Sequence, residues 1–212
     1  MREPGGRKVP DVDAEQAVAG VESRVVYHVG ATMIGVGQVI RPYVMGPDTL
    51  ARQALTRAIL LGGPEAARHL PDAAWHVNEI DEGFYSGGMI VLEAVFEWVR
   101  LHKAPALPGR LGAVFGWRTP LQARRYRTEY CPGGVIHLCK IMSGHAMERD
   151  GALVVEAYEA ANLANPRTDA LHLVQDHALR YWRGQPPFVF PELIVHGTVV
   201  VEAHIDPDDT CR

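Results

Sequence analysis

Four side chains, far apart along the 212 residues, have types that could act together on one ligand. His28 ends the run Val25-Val26-Tyr27, whose β-branched and aromatic residues predict a buried strand. The chain then turns through Val29-Gly30-Ala31-Thr32, so an imidazole and several backbone amides come to one edge of a sheet, where loops commonly hold ligands. Phe115 ends a short strand, and Tyr126 lies on the helix that follows, ten residues intervening. That distance lets the chain turn a corner and set two rings across a slot suited to a flat aromatic ligand. Glu192 opens the apolar run Leu193-Ile194-Val195, which places a carboxylate at a sheet edge, partly desolvated and within reach of a ligand.

The elements that must position these groups follow from periodicity. Val39-Ile40 is a second β-type run, closed by Arg41-Pro42. Asp48 caps a helix over Thr49–Leu61, stopped by Gly62-Gly63. Met89–His102 reads as a strong helix with Leu92, Val95, Phe96, Val99 and His102 on one side. Leu111–Phe115 is a buried strand, and Thr119-Pro120 is a helix start running to Tyr130. Strands follow at Val135–Ile141 and Leu153–Glu156, then a helix from the Thr168 cap to Trp182, ended by Gly184. The chain finishes in strands at Phe188–Phe190, Leu193–Val195 and Val199–Ile205, with a corner at His196-Gly197. Strands outnumber crossover helices, which points to an α+β fold with antiparallel sheets rather than a doubly wound parallel one. Residues 1–22 and 207–212 are expected to be tails around a single domain over 23–206.

Composition narrows the function classes. A net charge of -4 argues against a general nucleic-acid binder. No apolar run reaches the length of a membrane span, and the N-terminus lacks the apolar core of a secretory signal. Three widely spaced cysteines, Cys131, Cys139 and Cys211, suit a reduced, cytoplasmic protein. Gly35-Val36-Gly37 lacks the third glycine of a dinucleotide fingerprint, and there is no phosphate-binding GxxxxGK[ST] loop. The ten histidines show no HExxH, and His172 and His177, five apart, leave one helical face, so no metal is expected.

Taken together, His28, the Phe115 and Tyr126 pair, and Glu192 resemble the ADP-ribosyltransferase fold in its His-Tyr-Glu branch, which includes diphtheria-type toxins and poly-ADP-ribose polymerases. The run VRLHKAPALPGRLGAVFGWRTPLQARRY also resembles a group of uncharacterised bacterial proteins thought to share that fold. The likeness spans roughly Val25 to Ile205. It implies split antiparallel β-sheets with flanking helices, and NAD as co-substrate, without metal. His28 would bind the adenosine ribose, the main chain at Val29-Gly30 the nicotinamide amide, Phe115 and Tyr126 the nicotinamide ring, and Glu192 the nicotinamide-ribose hydroxyl. Arg41 and Arg110 are candidates for the pyrophosphate, since guanidinium forks match phosphate oxygens.

The activity implied is cleavage of the nicotinamide–ribose bond with transfer of ADP-ribose to a protein, a nucleic acid, a small molecule or water. The alternative is a catalytically inactive nucleotide- or protein-binding module on the same fold. The chain departs from the family pattern in having Val29 where a glycine follows the histidine, and Phe115 where a tyrosine is usual. Phe190 stands two residues before Glu192, where arginine-modifying members carry an acid, which disfavours arginine as acceptor.

Overall fold

The computed structural model describes residues 24–41, 50–69, 87–163 and 170–205. In chain order the elements are β1 (Val25–Gly30), β2 (Val39–Ile40), α1 (Leu50–Gly62), a short 3-10 helix (Pro64–His69), α2 (Gly87–Lys103), β3 (Val114–Gly116), α3 (Pro120–Tyr130), β4 (Val135–Asp150), α4 (Ala152–Leu163), α5 (Ala170–Arg183) and β5 (Pro191–Ile205). The fold among these residues is mixed α and β, with five α-helices and one five-stranded antiparallel sheet of order β1-β4-β5-β2, β3 pairing with β5.

Two long strands organise that sheet. β4 and β5 pair along nearly their whole length, Ile136 meeting Ile205 at one end and Asp150 meeting Pro191 at the other. They bend together where Gly144 faces Gly197, both at positive φ (94° and 148°). A Cβ on either glycine would collide with the partner strand's backbone, at His196 O or Ser143 O, so only glycine fits this pair of positions. On one side of the bend β4 carries β1; beyond it, the outer edge of β5 carries β3. β3 in turn runs into Trp117, which exchanges two 2.9 Å main-chain hydrogen bonds with Tyr27 of β1. The ladder therefore returns to its first strand through that bridge, with β4 and β5 as its common frame.

The ring so formed encloses a small apolar core: Val26, Val114, Cys139, Leu193, Val195 and Val199. Burial pushes the Cys139 thiol up to about 12, which makes it a core side chain rather than a nucleophile. The larger core lies outside the ring, where α2, α4 and α5 pack on β4 and β5 through Leu92, Phe96, Ala157, Val174, Trp182 and Ile194. Trp182 Nε1 donates to Phe96 O (2.8 Å), tying α5 to α2. α3 starts as its sequence predicts: Thr119 accepts from Gln122 N, and Gln122 returns the bond to Thr119 N.

Several local expectations are corrected. Leu153–Glu156 is helical, because Leu153, Ala157, Ala160 and Ala161 make one stripe against the main core. The Val135–Ile141 strand continues to Asp150, and the His196-Gly197 corner is a bend within β5. Only Val114–Gly116 of the Leu111 stretch is strand, and Phe188–Phe190 lies outside one, Phe190 N bonding instead to Asp150 Oδ1. His102 is exposed and turns back to Trp98 O. The Asp48 and Thr168 caps and both expected tails lie outside the described residues.

Candidate functional site

Glu192 sits near the start of β5, facing the helices, and is held by groups from two other parts of the chain. Its Oε1 accepts from Arg110 Nη1 (2.6 Å) and from Tyr181 Oη on α5 (2.6 Å). Arg110, in the loop between α2 and β3, also reaches Glu93 of α2 through Nε (3.2 Å to both carboxylate oxygens) and Nη2 (3.2 Å). All four are buried, Glu93 at 2% and Glu192 at 9% exposure. Burial works against the Arg110 charge, but Glu93, with Tyr181 and Glu192, outweighs it and raises its pKa well above the ordinary value. Burial likewise raises the Tyr181 phenol, which stays protonated and can donate to Glu192. Glu192 Oε2 takes no hydrogen bond from a described residue and is not among the sealed atoms lacking a partner. It lies 3.4 Å from where a side chain on Gly151 would begin, so that glycine keeps the space beside it open.

Arg110 is thus an internal strut, and the expectation that it binds pyrophosphate is corrected: Nε, Nη1 and Nη2 are all engaged by the protein. Its guanidinium carbon also stands 4.6 Å over the Phe115 ring. Arg41 is exposed just past β2.

The two candidate rings occupy different places. Phe115 packs against the main core beneath Arg110. Tyr126 belongs to an aromatic patch with Trp117 (4.2 Å between ring centroids), Tyr130 (5.5 Å) and Phe190 (6.5 Å). The expected slot between Phe115 and Tyr126 is replaced by this patch. Phe115 and Trp117 point the same way by two-residue alternation, and Trp117 is the one that reaches α3.

β1 presents two different faces. Val26 lies in the inner core, whereas Val29 and Tyr27 belong to the aromatic patch with Phe190. Alternation sends His28 inward with Val26 and sends Glu192 outward with Ile194, so the two side chains leave the sheet on opposite faces. The expectation that His28 and Glu192 line one cleft is corrected on this point. They are connected by the chain itself: His28 Nδ1 donates to Phe115 O (2.8 Å), and Phe115 pairs with Ile194 of β5. Burial lowers the His28 pKa against the effect of that bond, favouring a neutral ring with its proton on Nδ1.

The main chain of Val29 completes the site. Tyr27 turns its N–H and C=O toward β3, where both bond to Trp117. Two residues on, Val29 turns its own N–H and C=O to the same edge. No described residue bonds them there, and the Phe115 carbonyl that would lie opposite is taken by His28. β1 and β3 therefore part at Val29, whose donor and acceptor stand side by side without a main-chain partner among the described residues of β3. The side chain of Val29 packs into the aromatic patch that also holds Phe190, and Gly30 ends β1 opposite Val135.

Glu93 and Tyr181 had no part in the sequence expectation. Glu93 could have been found: it stands inside the run Met89-Ile90-Val91-Leu92-Glu93-Ala94-Val95-Phe96, where a carboxylate surrounded by apolar residues needs a buried cation. Among the described residues no helix is long and apolar enough to cross a membrane, and no group of three or more His, Cys, Asp or Glu is placed to hold a metal. No family model matches the chain, and no curated protein matches it.

Proposed function

We propose that the chain is an NAD-dependent ADP-ribosyltransferase, or an NAD glycohydrolase, built on the split-sheet fold its sequence resembles. The observation that carries the proposal is the N–H and C=O of Val29, which face no main-chain partner among the described residues where β1 and β3 part. A primary carboxamide is both donor and acceptor, so this couple matches the amide of nicotinamide. The ring would lie against Tyr126 and Trp117 on the same face. Glu192 stands beside the Phe190 end of that patch, across Gly151, fixed through Oε1 and with Oε2 left for a ribose hydroxyl.

The chemistry suits these groups. Nicotinamide leaves with the electron pair of its bond to ribose, and the sugar becomes oxocarbenium-like and positive. A fixed carboxylate stabilises that charge more than it stabilises the ground state. The hydrogen-bonded network of Glu93, Glu192 and Arg110 formally keeps one negative charge for the purpose. His28 acts on β3 by holding the Phe115 carbonyl, which keeps it from the Val29 N–H. The acceptor, whether water, a small molecule, a protein or a nucleic acid, then adds to the ribose carbon.

Purified protein with NAD should release nicotinamide, and Glu192→Ala should slow that release by about 10²–10³-fold. Unchanged release in the variant would refute the reading. A second reading, a catalytically silent nucleotide- or protein-binding module, is favoured by the guanidinium that already occupies Glu192 Oε1. Calorimetric binding of NAD without nicotinamide release would select it.

A further inference from the structure

A pocket of about 200 Å³ opens between the C-terminal end of α5 and the chain leading into β5, lined by Asp150, Arg180, Tyr181, Arg183, Gly184 and Gln185 among others. Arg149 of β4 lies directly behind it. Its guanidinium rests on Gly184, so closely that a Cβ there would sit 2.8 Å from Nη1 and 2.9 Å from Cζ. Arg149 is only 3% exposed, and it is the strand partner of Glu192, yet Arg110 holds that carboxylate instead. One bond, Nη1 to Glu148 O (2.7 Å), is all its guanidinium makes, and Nε and Nη2 have no partner among the described residues.

We propose that this pocket binds a phosphate-class oxyanion on Arg180 and Arg183 of its wall, with the unpaired Arg149 behind Gly184 as a deeper positive charge. Proteins rarely bury a cation without a counter-charge, because desolvation is not offset. The pocket wall adds two more guanidiniums. Arg183 has no ion-pair partner among the described residues, and Arg180 has only an exposed Glu156 at 4.0 Å. Opposing charges are smaller. Asp150 is the acid of the lining, and its oxygens already accept from the main-chain N–H groups of Ala152, Val189 and Phe190. The C-terminal end of α5 contributes roughly half a negative charge. Among the lining side chains two guanidiniums face one carboxylate, so the wall itself is positive. Its volume admits a phosphate or diphosphate group rather than a whole dinucleotide. Tyr181 forms part of the wall and also donates to Glu192, so a bound oxyanion would lie one side chain from the proposed catalytic carboxylate.

The site does not depend on the NAD reading, and its test is separate. Calorimetry with inorganic pyrophosphate at constant ionic strength should show saturable binding with a dissociation constant of about 1 mM or tighter. Arg183→Gln, an exposed change that leaves the core intact, should weaken binding at least about tenfold. Arg149→Met should weaken it while raising the unfolding temperature of the ligand-free protein, because it removes the unpaired buried charge behind the wall. Absence of saturable heat, or wild-type binding by both variants, overturns the proposal. A repeat titration with NAD present separates the possible sources. Displacement by NAD assigns the pocket to the dinucleotide's own diphosphate, and undiminished binding assigns it to a second, phosphate-bearing ligand.

Discussion

Arg110 Nη1 and Glu192 Oε1 lie 2.6 Å apart although 82 residues separate them in sequence. This bond joins the loop after α2 to the first turn of side chains on β5, and Glu93 makes the same guanidinium a bridge to α2 itself. Replacing Arg110 with Met keeps its bulk but leaves two buried carboxylates facing each other without a cation. The expected loss is about 3–5 kcal/mol, read from urea unfolding at neutral pH. Adding Glu93→Leu should recover part of it, since one uncompensated charge is then gone. A double-mutant cycle showing no coupling between the two positions would contradict this account.

Tyr181→Phe tests the same network from α5. It removes one donor to the Glu192 carboxylate and one acceptor for Arg110 without opening a cavity. A hydrogen bond to a charged group is worth about 1.5–3 kcal/mol, and that is the expected destabilisation. If Glu192 acts on NAD, the variant should also lose turnover, because the carboxylate gains rotational freedom.

The strands and helices around this site were legible in the sequence, and the network was not. Alternation and caps are local signals, so β1, α2, the Thr119 cap and the late strand could be read directly. The pairing of Arg110 with Glu93, Tyr181 and Glu192 depends on which helix faces cover which strand, and no spacing rule encodes that. The same limit explains Phe115. Its type and position suited a stacking ring, but whether Phe115 or Trp117 reaches α3 is decided by the register of β3 on β5. The long helix-like reach of α4 was also hidden, since Leu153-Val154-Val155 taken alone fits a short buried strand.

Acid should destabilise the protein through its inner histidines. Burial lowers the pKa of both His28 and His137, against the effect of the carbonyl each bonds. In the unfolded chain both sit near the ordinary value of about 6.5. Below that pH the unfolded state binds more protons than the native one, so stability falls as pH drops from about 6.5 toward the depressed native values, then levels off. Their contribution is fully present above about 6.5. His137 Nδ1 is buried without a partner among the described residues, and His28 and His204 flank the ring, which disfavours a second proton. Urea midpoints at pH 7.5, 6.5 and 5.5 should decline, and His137→Gln should flatten the decline. An equal slope in the variant would show that other groups govern it.

Two glycines at positive φ separate backbone strain from crowding. Gly133 (φ 83°) has nothing within 4 Å of where a Cβ would stand, whereas Gly144 (φ 94°) would drive a Cβ into the His196 carbonyl across the ladder. Alanine at 133 should therefore cost only the backbone conformation, about 1 kcal/mol. Alanine at 144 adds a collision between two main chains that are held by pairing on both sides of the bend, from Ile141 with Val199 to His145 with His196. Neither strand can move without breaking the register that brings β3, and with it Phe115, alongside Ile194. The expected loss is at least about 3 kcal/mol, with weakened burial of the inner core, measured by denaturant unfolding and by exposure of the Cys139 thiol to a labelling reagent. Equal costs at 133 and 144 would mean that β4 and β5 can open at the bend, and the closed ring that sets the distance between Val29 and Glu192 would lose its rigidity.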